Sequence, residues 1–444
     1  MKLWQKDKTN KKEVETFTIG RDPEFDLLLA HHDVTGSLAH AIMLESIGLL
    51  TKEELGILKK GLKEIREEIR EGKFVIETGI EDVHSQVEFL LTKRYGDVGK
   101  KLHSGRSRND QVLVDLKLFY REAIRAVLED VQKLFELLMD LAARHEKDLM
   151  PGYTHTQLAM PSSFGLWFSS QAEALIEDLQ LWKAAYSIVN LNPLGSAAGY
   201  GSSFPLDRTL TTELLGFFDL HYNVINAQNS RGKTEKMLSF AMAGTAGTLN
   251  KLAADMILFM NQHFGFVSFP DELTTGSSIM PHKKNPDVFE LVRAKSNQIQ
   301  SSPQQIIMQL SNMTTGYHRD LQLLKETIFP DFEKIKDCLQ ITHLMLENIQ
   351  VRQNILKDPF YAYIFSVEEV NKLVLNGMPF RDAYKKIGMD IEEGHFHPET
   401  ELSHSHEGSI GNLCLPQIND KMKAIMGDFG FEKSMEAEAR LWEL

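Results

Sequence analysis

Three polar segments interrupt an otherwise helical sequence, and each gathers residue types that can bind an anion or move a proton. HSGRSRNDQ, from His103 to Gln111, sets two arginines, two serines and an asparagine at the start of a long helical pattern. Guanidinium groups and the free N–H groups of a helix N-terminus both attract oxyanions. A capped helix beginning in a solvated charge run is the plainer reading of the same residues. MPGYTHTQLAMP, from Met150 to Pro161, holds Thr154, His155 and Gln157 between Pro-Gly and Met-Pro breaks. A histidine on constrained backbone beside hydroxyl and amide groups suits proton transfer, against the alternative of a packed or surface imidazole. TTGSSIMPHKKNPDVFE, from Thr274 to Glu290, runs from a small polar stretch into a cation-flanked helix start. Asn285 is expected to be the N-cap, Pro286 the first helical residue and Asp287 part of the first turn. Such a loop can close over an anion and present a hydroxyl to it. The alternative is a surface linker, but two lysines, a Met-Pro and an Asn-Pro around the hydroxyls favour a site.

The elements that must position these segments are helices. Val34 to Leu50 has a helical period and is followed by a capping box, Thr51 to Glu54, and by an amphipathic helix from Leu55 to Arg70 that stops near Gly72. Glu81 to Leu91 is a short helical stretch containing Asp82 and His84. Gln111 to Asp148 has neither Gly nor Pro, which predicts a helix on the order of 50 Å long. Further long helices are expected over Pro161 to Val189, Ser230 to His263, Pro286 to Met313 and Phe332 to Val351, with a Gly/Ser-rich loop from Asn192 to Pro205. No stretch alternates with period two for long, so no substantial sheet is expected. The fold class is all-α, with an N-terminal helical domain (1–105), a central long-helix bundle (106–358) and a small C-terminal helical domain (359–444). Helices this long cannot bury all their apolar faces in a compact monomer, which points to bundle pairing between subunits.

Composition narrows the class. The 444 residues are 42% apolar and 25% charged, ordinary for a globular protein, and the formal charge of −13 argues against nucleic acid or anionic membrane as the main partner. Cys338 and Cys414 form no disulfide framework or zinc spacing. The N-terminus has no apolar signal region, and no apolar run reaches membrane length. A soluble cytoplasmic protein is expected.

Together and in this order the segments resemble the fumarase/aspartase superfamily and, within it, the argininosuccinate lyases. GSSIMPHKKNP is similar to the superfamily's signature loop. HSGRSRNDQ, MPGYTHTQ, Asn192-Pro193-Leu194-Gly195-Ser196 and Asn376-Gly377-Met378-Pro379-Phe380-Arg381 resemble segments particular to argininosuccinate lyases. The resemblance covers nearly the whole chain. It implies a three-domain helical fold and a homotetramer whose active sites are each shared by three subunits. The implied reaction needs no cofactor or metal. It cleaves argininosuccinate to arginine and fumarate by base-catalysed anti elimination through an aci-carboxylate carbanion, the last step of arginine biosynthesis.

The resemblance also implies roles for residues. Ser277 would be the base, with Lys283 stabilising its alkoxide and the carbanionic carboxylate, and Asn285 donating to the same carboxylate. His155 would be the second proton-transfer residue, acting directly or through water, with Glu290 fixing its tautomer. Ser107, Asn109 and Thr154 would hold substrate carboxylates. Tyr317, Gln322 and Lys325 match a Tyr-x4-Gln-x2-Lys pattern contributed by a neighbouring subunit. Asp82 suits a guanidino or ammonium group, and Lys251 stands where relatives usually have arginine.

Two segments depart from the family pattern. Trp4 is followed by Gln5-Lys6-Asp7 rather than Gly-Gly-Arg, and Asp22 stands where relatives have a substrate-contacting serine. An aspartate there favours a cation or repels a carboxylate, so a different arginine-end contact or a modified, succinylated substrate comes into view. Two His-x-His pairs, His395/His397 and His404/His406, read as a polar surface loop rather than a metal site. Competing readings are a lyase for another succinyl-amine and, from a different class, a structural relative like the lens delta-crystallins.

Overall fold

The computed structural model describes residues 12–444. The Trp4-Gln5-Lys6-Asp7 departure lies outside the described residues.

The N-terminal part comprises α1 (Lys12–Ile19), α2 (Asp22–Ser46), α3 (Lys52–Arg70), α4 (Val83–Tyr95) and α5 (Asp97–Lys101). The capping box forms: Thr51 Oγ1 accepts from Glu54 N–H at 3.2 Å, and Glu54 accepts from Thr51 N–H at 3.0 Å. Val34, Leu38, Leu58, Leu62, Val87 and Leu91 share one core. α2 begins twelve residues before the periodic stretch, at Asp22, because Pro23 occupies its first turn. The extra turns bury Asp26, His32 and Asp33, polar residues that hide a helical period.

The centre is a bundle of α6 (Arg108–Arg144), α7 (Phe164–Val189), α9 (Val224–Phe259), α10 (Asp287–Gln309) and α11 (Leu324–Glu347), with short α8 (Arg208–Leu214) between α7 and α9. Leu134, Leu138, Phe168, Leu175, Trp182, Leu249, Ile299 and Ile335 fill its core, and Trp182 donates to Thr245 Oγ1 at 2.9 Å to tie α7 to α9. α6 starts at Arg108 and stops at Arg144, short of Asp148, and α7 starts after Pro161. Between them lies an antiparallel hairpin, β1 (Leu149–Thr154) and β2 (Gln157–Ser163), with Pro151 opposite Pro161. Two-residue pairs β3 (Leu191–Asn192) with β4 (Asp219–Leu220), and β5 (Val267–Ser268) with β6 (Gln350–Val351), complete the strands. α11 begins eight residues before Phe332 and carries Pro330 in its early turns.

α9 is broken at Arg231-Gly232, where Gly232 has φ +82°. Glu235 repairs the break by accepting from Gly232 N–H at 2.6 Å and Arg231 Nε at 3.0 Å.

After residue 359 the chain divides between two places. α12 (Ser366–Leu375) and α13 (Phe380–Glu392) pair around Val370, Ala383 and Ile387. α14 (Leu415–Gly427) returns to α7, and α15 (Phe431–Glu443) packs on α2 and α8, placing Leu441 and Trp442 in the N-terminal core. Among the described residues no helix is long and apolar enough to cross a membrane.

Gly232→Ala should cost about 1–3 kcal/mol, since a β-carbon there combines positive φ with a clash against Leu310 Cδ2. Thermal denaturation should show a lower midpoint, and an unchanged midpoint would contradict the account of the break.

Candidate active site

The starts of four helices and the break in α9 converge on one cleft. It is lined by Asp22 and Asp26 of α2, Glu81, Asp82 and His84 around the start of α4, Arg108 and Asn109 of α6, and Arg231 of α9. Tyr317, Arg319, Gln322 and Lys325, from the segment entering α11, complete it. Of the residues expected from sequence, Asp82, Asn109, Tyr317, Gln322 and Lys325 therefore meet, together with Asp22. Ser107 sits at the edge as the N-cap of α6, its Oγ accepting from Asn109 N–H at 3.2 Å.

Internal ion pairs order this cleft. Lys325, 2% exposed, holds its ammonium 2.6 Å from Asp22 Oδ1 and 2.5 Å from Asp26 Oδ1. The cation favoured by Asp22 is thus a lysine of the same chain. Burial raises the Asp22 pKa above the usual carboxylate value and the Asp26 charge raises it further, against the opposing pull of Lys325. Asp82 caps α4, accepting from Ser85 N–H at 2.8 Å, and pairs with the Arg108 guanidinium. Glu81 spans Arg108 at 3.3 Å and Arg319 at 3.0 Å. Gln322 donates to the Thr18 and Ile19 carbonyls at 3.3 and 3.0 Å, and Arg231 to the Leu321 carbonyl at 2.9 Å. Tyr317 is exposed at the rim.

Behind the cleft, His84 Nδ1 lies 2.7 Å from Asp33 Oδ1 and 3.4 Å from Asp115 Oδ2. Burial acts to strip its proton, but the Asp33 hydrogen bond and the charges of Asp33 and Asp115 outweigh it and raise the pKa to about 9. His84 is therefore an imidazolium at neutral pH. These three are the one His/carboxylate set among the described residues close enough to hold a metal ion, and an ion there would have to displace the His84 proton. His404 bonds Glu368 and Ser409 instead, at 3.1 and 2.9 Å.

His155 and Thr154 lie at the tip of the hairpin, exposed and outside the cleft lining. Thr154 pairs with Gln157, leaving His155 and Thr156 as a two-residue turn with φ of +54° and +59°. A turn with both central residues at positive φ normally carries Asn or Gly, so His and Thr store strain here. Tyr153 braces the hairpin against Phe264, ring centroids 5.6 Å apart, and against the Tyr361 hydroxyl.

The hydroxyl loop is a third separate part. Thr275 bridges to Asn285, whose N–H donates to the Thr275 carbonyl at 2.8 Å, and Lys284 pairs with Asp271. Because that bridge holds Asn285 in extended pairing, it does not cap α10. Pro286 takes the cap position, the helix starts at Asp287, and Asn285 Nδ2 faces the Gly276 carbonyl at 3.4 Å. Ser277 Oγ accepts from Met280 N–H at 3.1 Å and from Ile279 N–H at 3.4 Å. Lys283 is exposed and makes no ion pair among the described residues, and Glu290 is exposed on the first turn of α10. No hydrogen bond or ion pair joins Glu290 to His155 among the described residues. Lys251 is exposed on α9.

Sequence reasoning misses Glu81, His84, Arg231 and Arg319 as site residues. Arg319 lies between Tyr317 and Gln322 and Glu81 beside Asp82, so adjacency is the signal that could have found them. Arg231 has none, because the break that turns it inward is visible only in three dimensions.

The lyase family model matches residues 7–301. A doubly substituted EDDS lyase with bound fumarate superposes with a TM-score of 0.77 at 22% identity, covering 98% of this chain and 95% of that one. A class II fumarase from Schistosoma mansoni gives 0.70 at 17% identity, covering 83% and 85%. The fold is therefore that of the fumarase/aspartase superfamily. An argininosuccinate lyase from Bacteroides fragilis is 60% identical over 440 residues, 99% of this chain and 98% of the relative. One from Thermotoga neapolitana is 40% identical over 386 residues, 87% and 97% of the two chains. Within the superfamily, this chain belongs to the argininosuccinate lyase family.

Lys325→Met leaves Asp22 and Asp26 buried together without a counter-charge, which should cost about 3–5 kcal/mol at neutral pH. Asp22, whose pKa burial and the Asp26 charge already raise, then loses the opposing pull of Lys325, so the native state holds a proton that the unfolded chain has released, and the loss grows as pH rises above the unfolded carboxyl range. Urea denaturation at pH 7 and pH 4.5 should show the deficit shrinking at the lower pH. An equal deficit at both would rule out the charge explanation.

Proposed function

We propose that this chain cleaves argininosuccinate to arginine and fumarate, in the sense of the last step of arginine biosynthesis, as a cytoplasmic homotetramer. The observation that carries the reading is Ser277, whose Oγ already receives the Met280 N–H on a loop that also carries the exposed Lys283. The proton to be removed sits next to a carboxylate and is weakly acidic, so base and charge stabilisation must act together. A neutral serine is far too weak a base, whereas an alkoxide facing a backbone N–H and an ammonium is strong enough. Lys283 and Asn285 stabilise the doubly charged carboxylate of the intermediate. His155, oriented by Glu290, delivers a proton to the leaving guanidino nitrogen directly or through water. Ser107, Asn109 and Thr154 bind carboxylates, while Asp82, Tyr317, Gln322 and Lys325 shape the arginine end.

Two features support a site shared between subunits. The cleft, the His155 tip and the Ser277 loop are separate parts of one chain. The bundle helices also leave large apolar residues outside, among them Leu291 at 62% and Met308 at 64% exposure. The proposed division is an N-terminal domain to residue 105, a bundle from 106 to 358 and a C-terminal domain from 359, the last with α14 and α15 folded back on the others. Asp22, tied to Lys325, leaves the contact to the arginine end to neighbouring groups such as Arg319 and Glu81.

Purified protein should release fumarate, read as ultraviolet absorbance, from argininosuccinate or its N-succinyl derivative and not from malate, aspartate or adenylosuccinate. Turnover of adenylosuccinate alone would favour a lyase for another succinyl-amine, and no turnover on any of them a structural relative. Ser277→Ala should lower turnover at least about a thousandfold with the assembly intact, and near-normal turnover would refute the base assignment. Mixing inactive Ser277→Ala with inactive Tyr317→Ala subunits should restore part of the activity. No recovery after verified subunit exchange would refute sharing.

A further inference from the structure

A second cavity, of about 340 Å³, lies under the C-terminal helix α15, between it and α2, α3 and α6, and shares no lining residue with the cleft. Its polar lining includes Arg66, Arg121, Arg125, His31, Ser434 and the carboxylates Glu122 and Glu438. Arg125 pairs with Glu129 at 2.5 Å and His31 with Glu438 at 3.0 Å. The other two guanidiniums differ. Arg121, 6% exposed, donates among the described residues only to the Leu215 carbonyl at 2.9 Å and Asn190 Oδ1 at 3.3 Å, and stacks on Phe217. Arg66 stacks on Trp442, its guanidinium carbon 4.2 Å from the ring centroid, and makes no ion pair among the described residues. Its Nε is buried without an acceptor, and so is Trp442 Nε1 beside it.

A buried cation matched only by neutral partners is costly, and each orphaned donor adds to that cost. Burial accordingly lowers the Arg121 pKa to about 10, although Glu438 acts in the opposite direction. Glu438 serves both arginines at longer range while its own oxygen is engaged by His31.

We propose that this cavity is a binding site for a small oxyanion, a carboxylate or phosphate, held chiefly by Arg66 and Arg121 and distinct from the catalytic cleft. The chemistry required is two or three acceptor oxygens bearing at least one negative charge, which satisfies the guanidiniums. Such a ligand clamps α15 to α3 and α6 and so stabilises the folded chain by mass action.

The test is thermal denaturation of the full-length protein titrated with inorganic phosphate or fumarate, against potassium chloride at equal ionic strength. Tryptophan emission, which reports the Arg66–Trp442 stack, is followed in parallel. The expected result is a saturable rise in midpoint with either or both anions. It should be lost in Arg66→Gln, whose turnover stays near that of the parent, which separates it from anion binding in the catalytic cleft. Trp442→Phe should keep the midpoint rise and lose the emission change. A rise with phosphate alone, or with fumarate alone, identifies which oxyanion fits. No saturable rise with either, or an equal rise in Arg66→Gln, overturns the proposal. Should Arg66→Gln not fold, Arg125→Gln serves instead and should weaken the response several-fold, an unchanged response counting against the site.

Discussion

A lysine ammonium cannot stay charged in a protein interior without oxygen partners, and the arrangement around Lys325 follows from that constraint. Asp22 and Asp26, one helical turn apart on α2, supply the partners and fix the start of α2 against the start of α11. The cleft lies between those two starts. Glu81 and Asp82 then bind Arg108 and Arg319, so nearly every charge in the cleft already has an opposite within the chain. In the proposed function a substrate enters by exchanging partners within a neutral network rather than by filling a field of one sign. That suits a ligand with both carboxylates and a guanidino group, and accommodates a chain whose overall charge is −13.

The site's remaining parts depend on backbone more than on charge. His155 stands on a turn whose φ angles its residue type disfavours, held by a hairpin that Tyr153 pins to Phe264 and Tyr361. Ser277 is oriented by the N–H of a residue three positions later on its own loop. In both cases a strained or tightly turned backbone presents the group proposed to move a proton to solvent, at a distance from the groups expected to work with it. The long helices supply reach, and the loops supply chemistry.

Much of this is legible in the order of the amino acids alone. Polar clusters break apolar periodicity, so HSGRSRNDQ and the Thr274–Glu290 stretch stand out, and the Thr51 capping box fixes the start of α3. The hairpin is not legible, because its strands are too short and too rich in proline to show period two. The start of α2 lies twelve residues ahead of the visible periodicity because its first turns bury aspartates and a histidine, which look exposed when counted by polarity alone. The cap of α10 moves by one residue because a tertiary bridge to Thr275 outcompetes the local preference of Asn285. The part played by Arg231 depends on a helix break maintained by Glu235, and no pattern of spacing encodes that.

The return of α15 to the N-terminal core bears on how the molecule is made. Leu441 and Trp442 close a core whose earliest walls, from Val34 to Leu91, leave the ribosome some 350 residues earlier, with Leu118, Leu194 and Phe217 added between. During synthesis those early helices wait with one apolar side uncovered while the whole bundle is produced, a state in which chaperones commonly engage nascent chains. α15 thus ties the two together, since the N-terminal core reaches its final packing only after the bundle that separates it from α15 in the chain has emerged.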